Sequence, residues 1–240
     1  MSLTIAPGIL RLATSDLDAR PLFWNEGPLR FGYEPEAAEA VASAMGLRVE
    51  WVYTDWAGRI QSVLDGAADG VWCGVSDTPE RRSLLGFSKP YGYFNEACLV
   101  REGIRGTCVG DLAGKRIGAI ENSTNLSLVT SWPDVIPVSF TSHSDDVFSD
   151  MIEATVSAEI DGFVDDEPAM VPLAERDPRL VYAFTIESRH PWACGVQLHR
   201  TELIEALNEG IATALGTGSL RAVWQKHLPF LPFPFGDAAS

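Results

Sequence analysis

The sequence predicts an α/β protein folded as two lobes. Strand and helix signals alternate along the chain, as they do where helices flank a sheet. The same alternation begins afresh near residue 115, and a late strand signal at 192–198 leads back toward the first run. At 240 residues the chain can form one large domain or two small ones, and 46% hydrophobic against 21% charged residues is a balance that buries an ordinary core. The order of signals implies a first lobe of residues 1–95 plus 196–240 and a second of 96–195, joined by two crossings.

Each element has a local reason. Leu10 to Thr14 is a short apolar strand. Glu34 to Met45 is an alanine-rich helix with Pro35 at its start and Gly46 as its stop. Arg48 to Thr54 alternates apolar and polar residues, the mark of a half-buried strand, and Gly58 to Leu64 is a short amphipathic helix. Gly70 to Val75 reads as a buried strand, and Glu96 to Arg101 as another. In the second run, Lys115 to Ile120 is a strand and Thr124 to Ser131 a helix capped by Ser123 or Thr124. A helix is expected over Asp145 to Ala158, with acids in its first turn. Gly162 to Val164 is a strand ending in acids, Pro168 to Glu175 a helix, and Leu180 to Phe184 a strand. Trp192 to Leu198 is a strand, and Glu202 to Leu215 and Leu220 to His227 are helices split by Gly216-Thr217-Gly218. The tail LPFLPFPF cannot be helical; it reads as an extended strap or as disorder.

The densest signal lies between Asp69 and Tyr91, where a strand, a polar turn and a helix start follow in one stretch. Ser76, Asp77 and Thr78 place hydroxyl and carboxyl groups at the strand's carboxyl end. Thr78-Pro79-Glu80-Arg81 reads as N-cap, first helical residue and first turn. A helix N-terminus favours an anion, and Arg81 can grip a carboxylate with two parallel hydrogen bonds. Taken alone, the same four residues fit a corner with a surface ion pair.

The wider pattern resembles the extracytoplasmic solute-binding proteins of family 3, which serve polar amino-acid ABC transporters. The resemblance runs over residues 9–228 and rests on order and spacing. Its pieces are Ser76, Thr78 to Arg81 and Phe87-Ser88-Lys89-Pro90-Tyr91; Gly32-Tyr33-Glu34-Pro35-Glu36-Ala37; Asp55-Trp56; Asp111 to Gly118; and Asp161 to Glu167. It implies a two-lobe, type II periplasmic-binding-protein-like fold with the ligand cleft between the lobes and two hinge crossings. The implied ligand is a small polar amino acid or related zwitterion, with Arg81, Gly74, Ser76, Ser123 and Thr124 around its carboxylate. Asp166 corresponds to the family's ammonium-binding carboxylate, Asp16 to its second polar anchor, and Trp56 to the aromatic that stacks on the ligand. Simple capping is the alternative for Ser76, Ser123, Thr124 and Asp16, and a core role for Trp56, Trp24 and Trp72. Asp165 is expected to point away from Asp166 into solvent. Three departures bear on specificity: Cys73-Gly74 where hydroxyl residues are common, Ala19 where an aromatic lid residue is common, and Asn122-Ser123-Thr124 in place of a glycine-led turn. Asp16 and Glu121 add negative charge that suits a cationic or zwitterionic ligand.

A net charge of −15 argues against binding nucleic acid or an anionic membrane surface. No stretch has the apolar length of a spanning helix, and the first residues lack a basic start and an apolar leader core. Because the family is normally exported, a removed leader and a periplasmic or extracytoplasmic location are expected. The cysteines at 73, 98, 108 and 194 have no metal-ligand spacing; Cys98–Cys108, Cys98–Cys194 and buried free thiols all remain open. No cofactor, metal or catalytic residue is expected. The expected partners are the membrane subunits of a transporter, and the chain itself is expected to be a monomer. The main rival is an enzyme of the cyclohexadienyl dehydratase type, with Glu121 and Asp166 as candidate acids. His143, His190, His199 and His227 occur singly and suggest no catalytic set. A sensor domain of a receptor is a third reading, disfavoured by a tail without a membrane segment.

Overall fold

The computed structural model describes residues 3–144 and 146–236 and divides into two compact units. Unit 1 comprises residues 1–16, 21–93 and 190–240, and unit 2 comprises 17–20 and 94–189.

Unit 1 is built on a five-stranded sheet with strands β1 (Ile9–Ser15), β4 (Arg48–Thr54), β5 (Gly70–Val71), β6 (Leu85–Phe87) and β12 (Gly195–Gln197), ordered β4-β1-β5-β12-β6. β1 runs parallel to β4 and β5, and β12 pairs antiparallel with β5 and β6. A hairpin of β2 (Trp24–Glu26) and β3 (Leu29–Phe31) is separate from it. The helices are α1 (Tyr33–Ala44), α2 (Gly58–Leu64), α6 (Thr201–Gly216) and α7 (Ser219–His227). α1 ends where expected: Gly46 takes φ 71°, and the N–H groups of Gly46 and Leu47 cap the carbonyls of Ser43 and Ala42. α6 lies so close to α1 that a Cβ on Gly210 would stand 2.8 Å from Met45 Cγ. The proline-rich tail is a non-helical strap, but not an extended one: it turns at Pro229-Phe230, where the Leu231 N–H bonds the Leu228 carbonyl at 3.1 Å. Its Leu231 carbonyl accepts the Trp224 indole N–H at 3.0 Å, and Phe233 packs edge-on against the same ring.

Unit 2 has its own five-stranded sheet, ordered β11-β7-β10-β8-β9: β7 (Gly92–Arg101), β8 (Arg116–Ile120), β9 (Ile136–Phe140), β10 (Gly162–Asp166) and β11 (Leu180–Trp192). β8 is parallel to β9 and β10, and β10 is antiparallel to β7. Helices α3 (Thr124–Thr130), α4 (Val147–Val156) and α5 (Glu167–Arg176) complete it. Ile117, Leu112, Val129 and Val164 are fully buried in its core. The chain passes from unit 1 to unit 2 within β7 and back within β11. The expected helix start at Asp145 lies outside the described residues.

Several expectations are corrected. The strand expected over Gly70 to Val75 stops at Val71, because Gly74 turns the chain with φ 59°. The helix expected after Thr78 is one 3-10 turn, Arg81–Ser83; Leu85 must rejoin the sheet opposite Gln197, which leaves no room for more. The strand expected over Trp192 to Leu198 is broken at Ala193-Cys194, whose N–H groups bond the Val75 carbonyl and the Ser88 hydroxyl instead of a strand neighbour. All four cysteines are free, so neither disulfide forms; Cys98 is buried inside unit 2, and burial pushes its thiol up to about 12. No helix among the described residues is long and apolar enough to cross a membrane, and no group of side chains among them could hold a metal ion.

Candidate functional site

In unit 1 the candidate residues follow the carboxyl ends of the parallel strands β1, β4 and β5. Ser15 pairs with Thr54 in register, so Asp16 and Asp55-Trp56 leave the sheet at the same edge. Ala13 pairs with Val71, which brings the turn after β5 to that edge as well. This is the general position of ligands in open α/β sheets.

The turn itself is held from several sides. The Gly74 N–H donates to Glu34 Oε2 at 2.8 Å, and a Cβ on Gly74 would stand 3.2 Å from the Trp192 ring. Ser76 is buried and bridges to Trp192, and Asp77 N–H donates to the Pro191 carbonyl at 2.9 Å. The Arg81 guanidinium donates to the Ser76 carbonyl at 3.0 Å, and its own N–H reaches the Thr78 hydroxyl at 3.3 Å. Gly74, Ser76 and Arg81 therefore form one cluster.

Asp16 is exposed and accepts from the Asn25 amide. Asn25 Oδ1 in turn accepts from Tyr53 and from Arg30, each at 3.3 Å. Trp56 lies under the Arg59 guanidinium, 3.5 Å from ring centre, and its buried indole N–H has no hydrogen-bond partner among the described residues. Trp72 is core: it is fully buried and stacks on Tyr91 at 3.9 Å.

Sequence reasoning passed over Glu34. It is 1% exposed, and burial pushes its carboxyl up to about 7 despite bonds from Gly74 N–H and, at 3.1 Å, from the Tyr91 hydroxyl. Its neighbour Glu36 gave the motif its acidic mark but lies at the surface beside Lys226, 2.6 Å away. Nothing local separates the two acids; only the fold buries one.

In unit 2 the candidates again follow the carboxyl ends of parallel strands. After β8 the chain enters α3, where the Ser123 hydroxyl accepts the Leu126 N–H at 3.0 Å and Thr124 is the first helical residue. Asn122 precedes them with φ 59°, doing the job of the glycine that the motif lacks. Asp166 ends β10 and stands half-buried at the start of α5. Asp165 contradicts its expected place in solvent. It is 5% exposed, accepts the Asp166 N–H at 2.8 Å, and burial followed by the nearby Glu96 pushes it up to about 7. Glu96 is itself buried and accepts the Ser188 hydroxyl. Ala19 is buried and lines a unit 2 cavity of about 450 Å³ with Phe148, Met170 and Leu173, where an aromatic residue would take up space.

The sequence pattern of the bacterial extracellular solute-binding proteins, family 3, matches residues 16–230. The chain belongs to that family. Among curated relatives, a probable amino-acid-binding protein of Bacillus subtilis is 27% identical over 44% of this chain and 40% of its own length. The chain thus spans less than half of that relative. The L-cystine-binding protein TcyJ of Escherichia coli is 28% identical over 81% of this chain and 73% of its own. A membrane-bound lytic murein transglycosylase F of Idiomarina loihiensis also matches, at 23% identity over 82% of this chain and 44% of its own. Among solved structures, an ancestral arginine-binding protein bound to arginine superposes with a TM-score of 0.81 at 25% identity, covering 92% of this chain and 98% of that one. The ancestral amino-acid-binding protein AncCDT-1, a precursor of cyclohexadienyl dehydratase, superposes with a TM-score of 0.79 at 22% identity, covering 92% of this chain and 95% of that one, a likeness of fold alone.

Proposed function

We propose that the chain is the extracytoplasmic binding protein of an amino-acid ABC transporter, and that it acts as a monomer which hands its ligand to the membrane subunits. The observation that carries this reading is the family match across residues 16–230, joined by relatives whose names specify cystine and arginine. The ligand's carboxylate lies on the Gly74–Ser76 turn and Arg81, supported by Ser123 and Thr124. Asp166 takes the ammonium, with Asp16 as a second polar anchor, and Trp56 covers the side chain. Capping by Ser123 is compatible with this role, since a capped helix start still offers further N–H groups. The chemistry needed is charge pairing and shape, so binding without turnover is the natural outcome.

Thermal unfolding against the standard L-amino acids, ectoine, betaines, opines and prephenate tests the proposal. A ligand present at a thousand times its Kd adds about 4 kcal/mol. For a chain of this size that is on the order of 10 °C. A large shift with one class of amino acid is expected. No shift with any amino acid, together with consumption of prephenate, would replace binding with catalysis.

A further inference from the structure

We propose that Glu34 is a proton-linked positioning residue: the site takes up a proton at Glu34 when a carboxylate binds at the Gly74–Ser76 turn, so affinity rises as pH falls through neutrality. This rests on the reading of that turn as the anion-binding element.

The two oxygens of Glu34 are used differently. Oε2 accepts both the Gly74 N–H, at 2.8 Å, and the Tyr91 hydroxyl, at 3.1 Å. Oε1 is buried and has no hydrogen-bond partner among the described residues. A proton can therefore settle on Oε1 without breaking either bond, and the turn keeps its shape in both charge states. The turn is also held from its far side, where the Val75 carbonyl accepts the Ala193 N–H at 3.1 Å and Ser76 bridges to Trp192. Protonation then acts on the ligand through charge rather than through rearrangement.

The groups that face Glu34 leave it as the one that titrates. Tyr33 on its own helix and Tyr91 ahead of β7 are fully buried, with hydroxyls pushed well above their usual range. Cys194, ahead of β12, is raised likewise by burial. From β3 comes Arg30, whose charge favours the ionised carboxylate. Its guanidinium is committed elsewhere, donating to Thr14 Oγ1 at 2.7 Å and lying over the Phe23 ring at 4.9 Å. Burial holds Glu34 near 7 against this pull. A second negative charge arriving two residues along the same turn raises it further. Like charges several ångströms apart in a medium of intermediate dielectric change affinity by about threefold to tenfold.

The test is calorimetric titration of L-arginine and of L-glutamine into the wild type and Glu34→Gln at pH 6 and pH 8. Glutamine keeps a carbonyl for Gly74 and Tyr91 and places an uncharged amide where the proton would be. The wild type is expected to bind about three- to tenfold more tightly at pH 6, and the variant equally tightly at both. Binding with the same pH profile in both proteins, or a flat profile in the wild type, overturns this inference alone. No binding of either amino acid by either protein removes the functional reading and this inference with it. Should the variant fail to fold, NMR titration of the carbon-13-labelled Glu34 carboxyl decides: its pKa rises on adding L-arginine, and an unchanged value overturns the proposal.

Discussion

Asp69-Gly70 in unit 1 and Asp161-Gly162 in unit 2 occupy equivalent corners of the two sheets. Asp69 donates its N–H to the Arg11 carbonyl at 2.8 Å and accepts the Arg11 N–H at 2.9 Å; Asp161 does the same with Arg116 at 2.8 and 2.9 Å. Each also meets an arginine, Arg200 at 3.2 Å and Arg101 at 3.4 Å. The glycines follow because a side chain would collide, with Cys194 Sγ at 2.7 Å in one case and the Leu99 carbonyl at 2.3 Å in the other. Beyond this shared start the strands part. β5 ends after two residues and turns at Gly74, whereas β10 continues for five to Asp166. The short strand borrows its buried acid, Glu34, from a helix; the long one carries its own, Asp165. The comparison teaches that the frame and the chemistry at its end are set separately: the same corner supports either a backbone turn or a projecting carboxylate.

The largest effect should come from the corners themselves. Asp69 is fully buried and also accepts the Ile5 N–H, so Asp69→Ala strands two N–H groups and a guanidinium. It is expected to lose about 3–5 kcal/mol in urea unfolding. Asp161→Ala, with both partners partly exposed, should lose about 1–3 kcal/mol. Equal losses would break the parallel between burial and cost.

Next come the two strand ends. Arg81→Ala and Asp166→Ala should each weaken ligand binding by about 2–5 kcal/mol, or roughly thirty-fold to several thousand-fold, as measured by calorimetry. A variant that binds like the wild type removes that residue from the site.

The borrowed and the inherent acid differ in their surroundings, and pH separates them. The Glu34 carboxyl stands at about 7 folded and 4.5 by default. Below 4.5 it is protonated in both states; between these values the unfolded chain gives up its proton first, so stability falls as pH rises and then levels off. The loss totals about 3 kcal/mol. Glu34→Gln should therefore unfold at a higher temperature than wild type at pH 8 and show little gain at pH 4.5. Asp165→Asn should follow the same trend, because it removes a buried charge and, with it, the repulsion between that charge and Glu96. Gly74→Ala, where positive φ and the Trp192 ring combine, should cost about 1–3 kcal/mol in urea unfolding, no more than Asp161→Ala.

Much of this was legible because it is local. Arg48–Thr54 and Gly58–Leu64 were read residue for residue, since alternation and a following Asp-Gly break need no tertiary information. Asn122-Ser123-Thr124 was recognised as a helix start from its cap. The hairpin β2–β3 and the strands β6 and β9 were missed, being short or lacking a clear alternation. The extent of β11 was also missed, since its stretch Glu187-Ser188-Arg189-His190 is polar and is held by neighbours such as Asn95 and Glu96 rather than by an apolar pattern. Glu34 and Asp165 could not be told from Glu36 and Asp166 in the sequence. Each pair differs only in which member the fold takes out of water.

The place of β12 in its sheet fixes an order of assembly. β12 stands between β5 and β6, so the first sheet has a gap until residues 195–197 have left the ribosome. The segment 92–192, by contrast, holds every strand of the second sheet in one run. Unit 2 can close on itself while unit 1 still waits, with the edges of β5 and β6 unpaired and open to wrong partners. The slow step in refolding should therefore be the return of the last fifth of the chain, a contact across more than a hundred residues.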